Sequence, residues 1–127
     1  MNDIDAAGEW LDAWAVQVNA QAARSVELSR RVAELTGSAE GRDGAIGVTV
    51  GSAGQVEHLE LDDHVHELSG PRLAEEILAV IRHAQADLSG RVAEEVQDTV
   101  GADTETGRAV IHSFDTRFPA VEGREEP

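Results

Sequence analysis

The N-terminal third of the chain carries an apolar heptad repeat that runs without proline from Asn2 to about Thr36. Eight of its ten a and d positions are apolar, which favours a coiled-coil-like helix over chance alternation. At a rise of 1.5 Å per residue, such a helix reaches about 50 Å, more than a domain of this size can cover alone. The repeat therefore predicts a helix that packs both on its own sheet and on a second chain.

This heptad also predicts which residues face the second chain. Trp10 and Trp14 lie one helical turn apart, and tryptophan at this spacing serves either as a packing residue or as a hot spot for a bound peptide. We favour packing, because Trp14 is a d residue and Trp10 flanks it. The residues predicted for the dimer interface are Ile4, Leu11, Trp14, Val18 and Leu28.

Two short strands are predicted after the helix. In Gly44–Val50 the apolar residues alternate with small or polar ones, which is typical of a half-buried strand. The sequence "GSAG" at Gly51–Gly54 has the chemistry of a hairpin turn, and a second strand ends at "LELDD". A lone two-stranded hairpin is marginally stable in water, so helices must cover one of its faces.

A second amphipathic helix is predicted beyond the loop at residues 62–69. Ser69 or Gly70 would cap it, Pro71 suits its first turn, and Gly101 is a suitable end. We predict one folded domain over residues 1–100, and a mobile acidic tail over residues 101–127. The apolar residues of the helix recur at steps of three and four, at Leu73, Ile77, Val80, Ile81, Ala84, Leu88, Val92 and Val96.

The composition restricts the function more than any motif does. The 127 residues carry a formal net charge of −15, which repels phosphate backbones and anionic membrane surfaces. Cysteine is absent, which excludes disulfides and thiol catalysis, and no run approaches the roughly 20 apolar residues that cross a bilayer. The acidic N-terminus is unlike a secretory signal and predicts a cytoplasmic protein. We expect neither membrane association nor a cofactor.

The densest polar cluster lies at the end of the second strand. Imidazole and carboxylate groups can bind a divalent metal, but their spacing here matches no zinc or EF-hand signature. A solvated strand end explains the cluster more simply, so we predict no metal site. No nucleophile motif such as G-x-S-x-G occurs, and the small sheet offers little room for a closed pocket, so we predict no enzymatic activity. The cluster consists of His58, Asp62, Asp63, His64 and His66.

All ten basic residues are arginine, and five of those in the two predicted helices are candidate phosphate contacts. Arginines on a helix can contact phosphate, although acidic neighbours make these a thin basic footprint. A solvated charged face is the alternative interpretation. The five candidates are Arg24, Arg30, Arg31, Arg82 and Arg91.

The sequence resembles the YbaB/EbfC family, and in particular its divergent actinobacterial members. The resemblance rests on the order of four features: the G-x-V-x-V-like strand, the glycine turn, the "LELDD" strand and the "LA..I...I..A.A" pattern of Leu73–Ala86. Together with the first helix, these features cover roughly residues 3–98.

The resemblance implies an α+β fold of order α-β-β-β-α, with a small antiparallel sheet, a long N-terminal helix and an intertwined homodimer. It adds a strand near residues 35–40. It also implies a nucleoid-associated role, with DNA contacts on the helical arms, here at the five arginines. A rival function is an acidic protein-interaction module without DNA binding, such as an accessory protein of type VII secretion, because related proteins occur in those loci.

Overall fold

The structure is a computed structural model that describes residues 3–121, with side chains described from Ala7 onward. A long helix precedes a small sheet, a second long helix packs on the sheet, and a third, shorter helix follows. A 3₁₀ turn at Asp63–Glu67 leads into the second long helix. The elements in chain order are α1 (Asp3–Ala33), β1 (Gly37–Gly41), β2 (Ile46–Val50), β3 (Val56–Leu61), α2 (Gly70–Thr99) and α3 (Glu105–Arg117).

The three strands form one antiparallel sheet with β2 in the centre. β1 pairs with β2 in the register Ala39↔Val48, and β3 pairs with β2 in the register Leu59↔Val48. A bulge between Thr49 and Val50 shifts the second pairing by one residue. This arrangement confirms the predicted α+β fold, the order α-β-β-β-α, and the extra strand that the resemblance implied.

The core lies between α2 and the sheet. The inner face of β2 contributes Ile46, Val48 and Val50, all of which are buried. The predicted apolar face of α2 is confirmed, because five of its eight positions are buried and the other three pack against the core. The buried five are Val80, Ala84, Leu88, Val92 and Val96.

The start and end of α2 follow its sequence signals. The Ser69 side chain caps the helix by accepting a hydrogen bond from the backbone N–H of Arg72, at 3.2 Å. Pro71 occupies the first turn, where a missing N–H costs nothing. Beyond Thr99 the chain turns at Gly101, whose φ of 92° lies in the left-handed region that glycine adopts freely.

From Ala7 onward, helix α1 contacts the rest of the protomer only near its C-terminal end. Every residue from Glu9 to Arg24 is exposed, whereas Leu28 is buried and Val32 packs against the core. Over its 31 residues the helix is about 46 Å long, so roughly its first two thirds project away from the body. We call this projecting segment, residues 7–24, the α1 arm.

The C-terminal segment differs from the mobile tail that was predicted. Residues 105–117 form α3, which packs on α2 and buries Phe114. Thr104 caps α3 by accepting a hydrogen bond from the backbone N–H of Gly107, at 3.0 Å. Val110, Ile111, Phe114 and Phe118 contact the core at helical spacing. The prediction of a mobile tail is therefore wrong for this segment; residues 122–127 lie outside the described residues.

Candidate nucleic-acid interface

Two of the candidate arginines, Arg30 and Arg31, end α1 and share one carboxylate. The Glu27 Oε2 atom lies 2.5 Å from Arg30 Nη2 and 2.8 Å from Arg31 Nε. Arg30 also reaches Glu34 at 3.4 Å, and Arg31 reaches Glu95 on α2 at 3.3 Å. These two guanidinium groups are thus surrounded by three carboxylates, and the local charge is not positive.

The titration of Glu27 reflects this shared carboxylate. Hydrogen bonds from Arg30 and then Arg31 lower the pKa of Glu27 from its ordinary value of 4.5 to about 2. The same hydrogen bonds raise the pKa of both arginines. Glu27 therefore remains ionised at any physiological pH, and it neutralises part of the charge that a phosphate would meet.

A third candidate, Arg91 on α2, is also paired. Its Nε atom donates to the Asp87 Oδ2 atom at 3.0 Å, one helical turn earlier. Asp87 additionally accepts a hydrogen bond from the backbone N–H of Ser38 at 3.0 Å, which ties α2 to β1. Asp87 therefore has a structural partner of its own, and Arg91 lies beside a fixed negative charge.

The remaining two candidates, Arg24 and Arg82, form no ion pair with any residue from 7 to 121. Arg24 is exposed on the α1 arm, and Arg82 is exposed on α2. Arg82 lines a groove between α2 and the segment that follows α3, together with Gln85, Arg117 and Phe118. The structure therefore separates the five arginines into three paired ones and two unpaired ones.

Sequence reasoning did not include Arg117 because it lies in the segment that was predicted to be mobile. Its guanidinium carbon lies 4.6 Å from the centre of the Phe114 ring and 5.2 Å from that of Phe118. Two features of the sequence could have revealed α3: Thr104 as a helix cap, and the apolar spacing from Val110 to Phe118.

The α1 arm presents the apolar residues that were predicted to face a second chain. Trp10, Leu11, Trp14 and Val18 are all exposed, with 56% of Trp14 accessible. Leu28 differs, because it is only 3% exposed and packs in the core of its own protomer. Leu28 thus lies away from the surface that a second chain could contact, and the side chain of Ile4 lies outside the described residues.

One edge of the sheet is also uncovered. All six residues of β3 are exposed, although Leu59 and Leu61 pair with the buried Val48 and Ile46. Helix α2 covers β1 and β2 and leaves this part of the inner face open to solvent. The α1 arm and this open face of the sheet both leave apolar side chains exposed.

The histidine and aspartate cluster has local roles in the structure. His58 lies 3.0 Å from Glu60, and His64 lies 3.2 Å from Asp62. Asp62 caps the 3₁₀ turn by accepting a hydrogen bond from the backbone N–H of His64 at 2.7 Å. Each of the two histidines therefore pairs with one neighbouring carboxylate, and Asp62 shapes the turn into α2.

Fold and surface together define a small α-β-β-β-α protein whose helices carry its candidate anion contacts. A model of the YbaB/EbfC DNA-binding family matches residues 10–103, about three quarters of the chain. The chain therefore belongs to the YbaB/EbfC family, as its sequence predicted. A search of curated proteins finds no match to it. No helix within residues 3–121 is long and apolar enough to cross a membrane.

Proposed function

We propose that the protein is a homodimeric, nucleoid-associated DNA-binding protein without enzymatic activity, acting in the cytoplasm at the nucleoid. The observation that carries this proposal is membership of a DNA-binding family over a region that includes α2 and α1 from residue 10 onward. All five candidate arginines lie within residues 10–103, the matched region. We place the DNA contacts on these helices.

The uncovered surfaces support the homodimer. Exposed apolar patches of this kind are typical of interaction sites. The a and d stripe of the α1 arm continues directly into the protomer core at Leu28 and Val32, so one stripe serves both the core and the proposed interface. We propose that the arm of one protomer packs on its partner, through Leu11, Trp14 and Val18, and that a second chain also covers the open face at Leu59 and Leu61.

The net charge determines what kind of DNA binding is compatible with this chain. A dimer would carry twice −15, or −30, and this field opposes the approach of a phosphate backbone. Binding must therefore depend on a few local contacts, and the number of these contacts should set how strongly added salt weakens it. Among the five candidates, Arg24 and Arg82 have no carboxylate partner within the described residues, so they are the best placed.

Electrophoretic mobility shift at low salt tests this proposal. We expect a duplex to shift at micromolar protein, and the Arg24/Arg30/Arg31→Ala triple variant to shift it less. Complete absence of a shift with the unaltered chain would contradict DNA binding. A shift that the triple variant leaves unchanged would contradict a contribution of α1 to the DNA contacts.

The alternative function is an acidic protein-interaction module without DNA binding, such as a type VII secretion-associated accessory protein. It is favoured by the net charge and by the pairing of Arg30, Arg31 and Arg91 with carboxylates. On this alternative the chain forms the same dimer, yet it fails to shift DNA at any salt concentration. Sizing and mobility shift on one preparation therefore separate the two functions.

A further inference from the structure

The groove beside Arg82 is unusual in so acidic a molecule. It lies between α2 and the segment that follows α3, and its lining includes two arginines, Arg82 and Arg117. No carboxylate lines it among residues 7–121. Asp115 lines a second groove, which shares Ala120 and Val121 with this one. The groove thus concentrates positive charge in a chain with 25 acidic residues.

The packing of α3 holds Arg117 in place at this groove. Its guanidinium group lies over two aromatic rings, which favours a fixed planar orientation. The Phe118 ring sits directly on Gly54 in the β2–β3 turn, where a Cβ atom would collide with it. The Ser89 hydroxyl can donate to the carbonyl oxygen of Phe114 or of Phe118, at 3.1 and 2.9 Å. The end of α3 is therefore anchored from two sides.

The floor of the groove is fixed as well. The Gln85 side chain donates from Nε2 to the carbonyl oxygen of Gly54 at 2.9 Å, which joins α2 to the same turn. Arg82 lies one turn of α2 before this amide, and its side chain is exposed. Guanidinium groups held by packing lose less freedom on binding than free ones do, and their planar donors match phosphate oxygens.

Apart from Arg24, the other arginines of the described chain have partners. Arg30 and Arg31 share Glu27, and Arg42 and Arg72 share Glu76 at 3.6 and 3.0 Å. Arg108 donates to the backbone carbonyl of Asp103. Arg24 is the other unpaired arginine within these residues, and it stands alone on the arm. Arg82 and Arg117 are thus the unpaired arginines that share one surface.

We propose that Arg82 and Arg117 together bind the phosphate backbone of duplex DNA. This inference rests on the proposed DNA-binding function and extends it, because α3 lies beyond residue 103, where the family match ends. The phosphate contacts of this protein are then concentrated at a groove that α3 completes. Arg30 and Arg31, which the sequence alone favours equally, contribute little to them.

The salt dependence of binding tests the location directly. Each phosphate contact adds about 0.9 to the slope of log K against log salt for duplex DNA. The Arg82→Gln/Arg117→Gln variant should therefore lose about 2 from the slope per protomer, measured by fluorescence anisotropy with a labelled duplex. The Arg30→Gln/Arg31→Gln variant changes the net charge equally, and we expect it to retain the slope of the unaltered protein.

Two further variants distinguish the loss of phosphate contacts from the loss of folding. Arg82→Lys/Arg117→Lys keeps both charges and should keep most of the slope. Arg82→Gln alone changes an exposed side chain, and it should lose about 1 from the slope per protomer if the fold is intact.

The outcomes separate this inference from the proposed function. If the unaltered protein fails to bind duplex DNA, both are wrong. If the unaltered protein binds and the Arg82→Gln/Arg117→Gln variant keeps the same slope, only the assignment of the phosphate contacts to the groove is wrong. Equal losses of slope in Arg82→Gln/Arg117→Gln and Arg30→Gln/Arg31→Gln would also overturn the assignment. They would show that net charge matters, whatever the position of the arginines.

Discussion

Single residues in this protein show how a shared carboxylate can neutralise a basic cluster. The Glu27 carboxylate lies 2.5 and 2.8 Å from two guanidinium groups. No acidic residue precedes it on α1 between Ala13 and Val26. The spacing alone makes these contacts predictable, because residues three and four apart share a helix face. The sequence could not reveal the third carboxylate of the cluster, Glu95, because it comes from α2.

The titration of Glu27 gives a first prediction. We expect its pKa to lie well below 4.5, at about 2, because Arg30 and Arg31 stabilise the ionised form. A lowered pKa stabilises the fold above pH 4.5, and this contribution is lost as the pH falls from 4.5 towards 2. The midpoint of the Glu27 titration is obtained from its carboxyl chemical shift, measured by NMR across this pH range.

A matched pair of variants checks the cause of that shift. Arg30→Gln/Arg31→Gln should return the midpoint of Glu27 towards 4.5, whereas Arg108→Gln on α3 should leave it unchanged. A midpoint that stays low in the first variant would show that another group, not the arginine pair, lowers the pKa.

Gly37 and Gly90 provide a second prediction, because the space around Gly37 is crowded and the space around Gly90 is open. A Cβ atom at Gly37 would collide with the backbone of α2 at Ala84 and Leu88, since β1 approaches the helix closely there. Gly37→Ala should therefore lower the free energy of unfolding by about 1–3 kcal/mol. Gly90 lies inside α2 with no atom near its Cβ position, so Gly90→Ala should raise stability by about 0.4–1 kcal/mol.

Urea unfolding followed by circular dichroism measures both changes on the same scale. A Gly37→Ala variant as stable as the original chain would mean that β1 and α2 can separate without cost. This close approach could not be read from the sequence, because a glycine at the start of a strand also suits a turn.

Among the secondary-structure elements, α2 was the most predictable and α3 the least. All eight apolar positions of α2 follow one stripe over 30 residues, so their spacing is unambiguous. The 13 residues of α3 include only a short apolar run, and the four residues before Glu105 are a glycine, an alanine and two polar residues. Its stability depends on tertiary contacts with α2 and on Phe118 at the β2–β3 turn, which no local pattern records.

A third prediction measures how much α3 contributes to folding. Phe114 is buried between α3 and α2, so Phe114→Ala should lower the free energy of unfolding by about 3 kcal/mol. Ser113, its exposed neighbour on the same helix, is the control, and Ser113→Ala should change stability by less than about 0.5 kcal/mol. Equal stabilities of the two variants would show that α3 packs too weakly to belong to the folded core.

For the molecule as a whole, the α1 arm is the feature on which the proposed assembly depends. The heptad predicted both the length of the helix and the apolar stripe that the protomer leaves exposed. It did not predict where the stripe enters the core, because a and d positions look alike in sequence whether they contact the same chain or another. The structure places that change near Ser25, and Leu28 lies on the core side.

A fourth prediction tests the arm by charge insertion. Trp14→Glu should shift the protein from dimer to monomer in sizing chromatography with light scattering, because it places a charge in the proposed apolar interface. Val16 is 68% exposed and occupies an f position of the same heptad, so Val16→Glu should leave the dimer intact. A monomeric unaltered chain would contradict the use of the heptad as an interface, and equal effects of the two variants would contradict its register.

The open β3 edge also bears on the colloidal behaviour of the protein. An edge strand with exposed apolar side chains is a template on which other copies can add, and charge is a usual protection against this. The net charge of −15 therefore keeps separated protomers apart in solution as well as opposing DNA. This protection vanishes near the isoelectric point of about 4.5, so mild acid should lead to precipitation well before Glu27 takes up a proton.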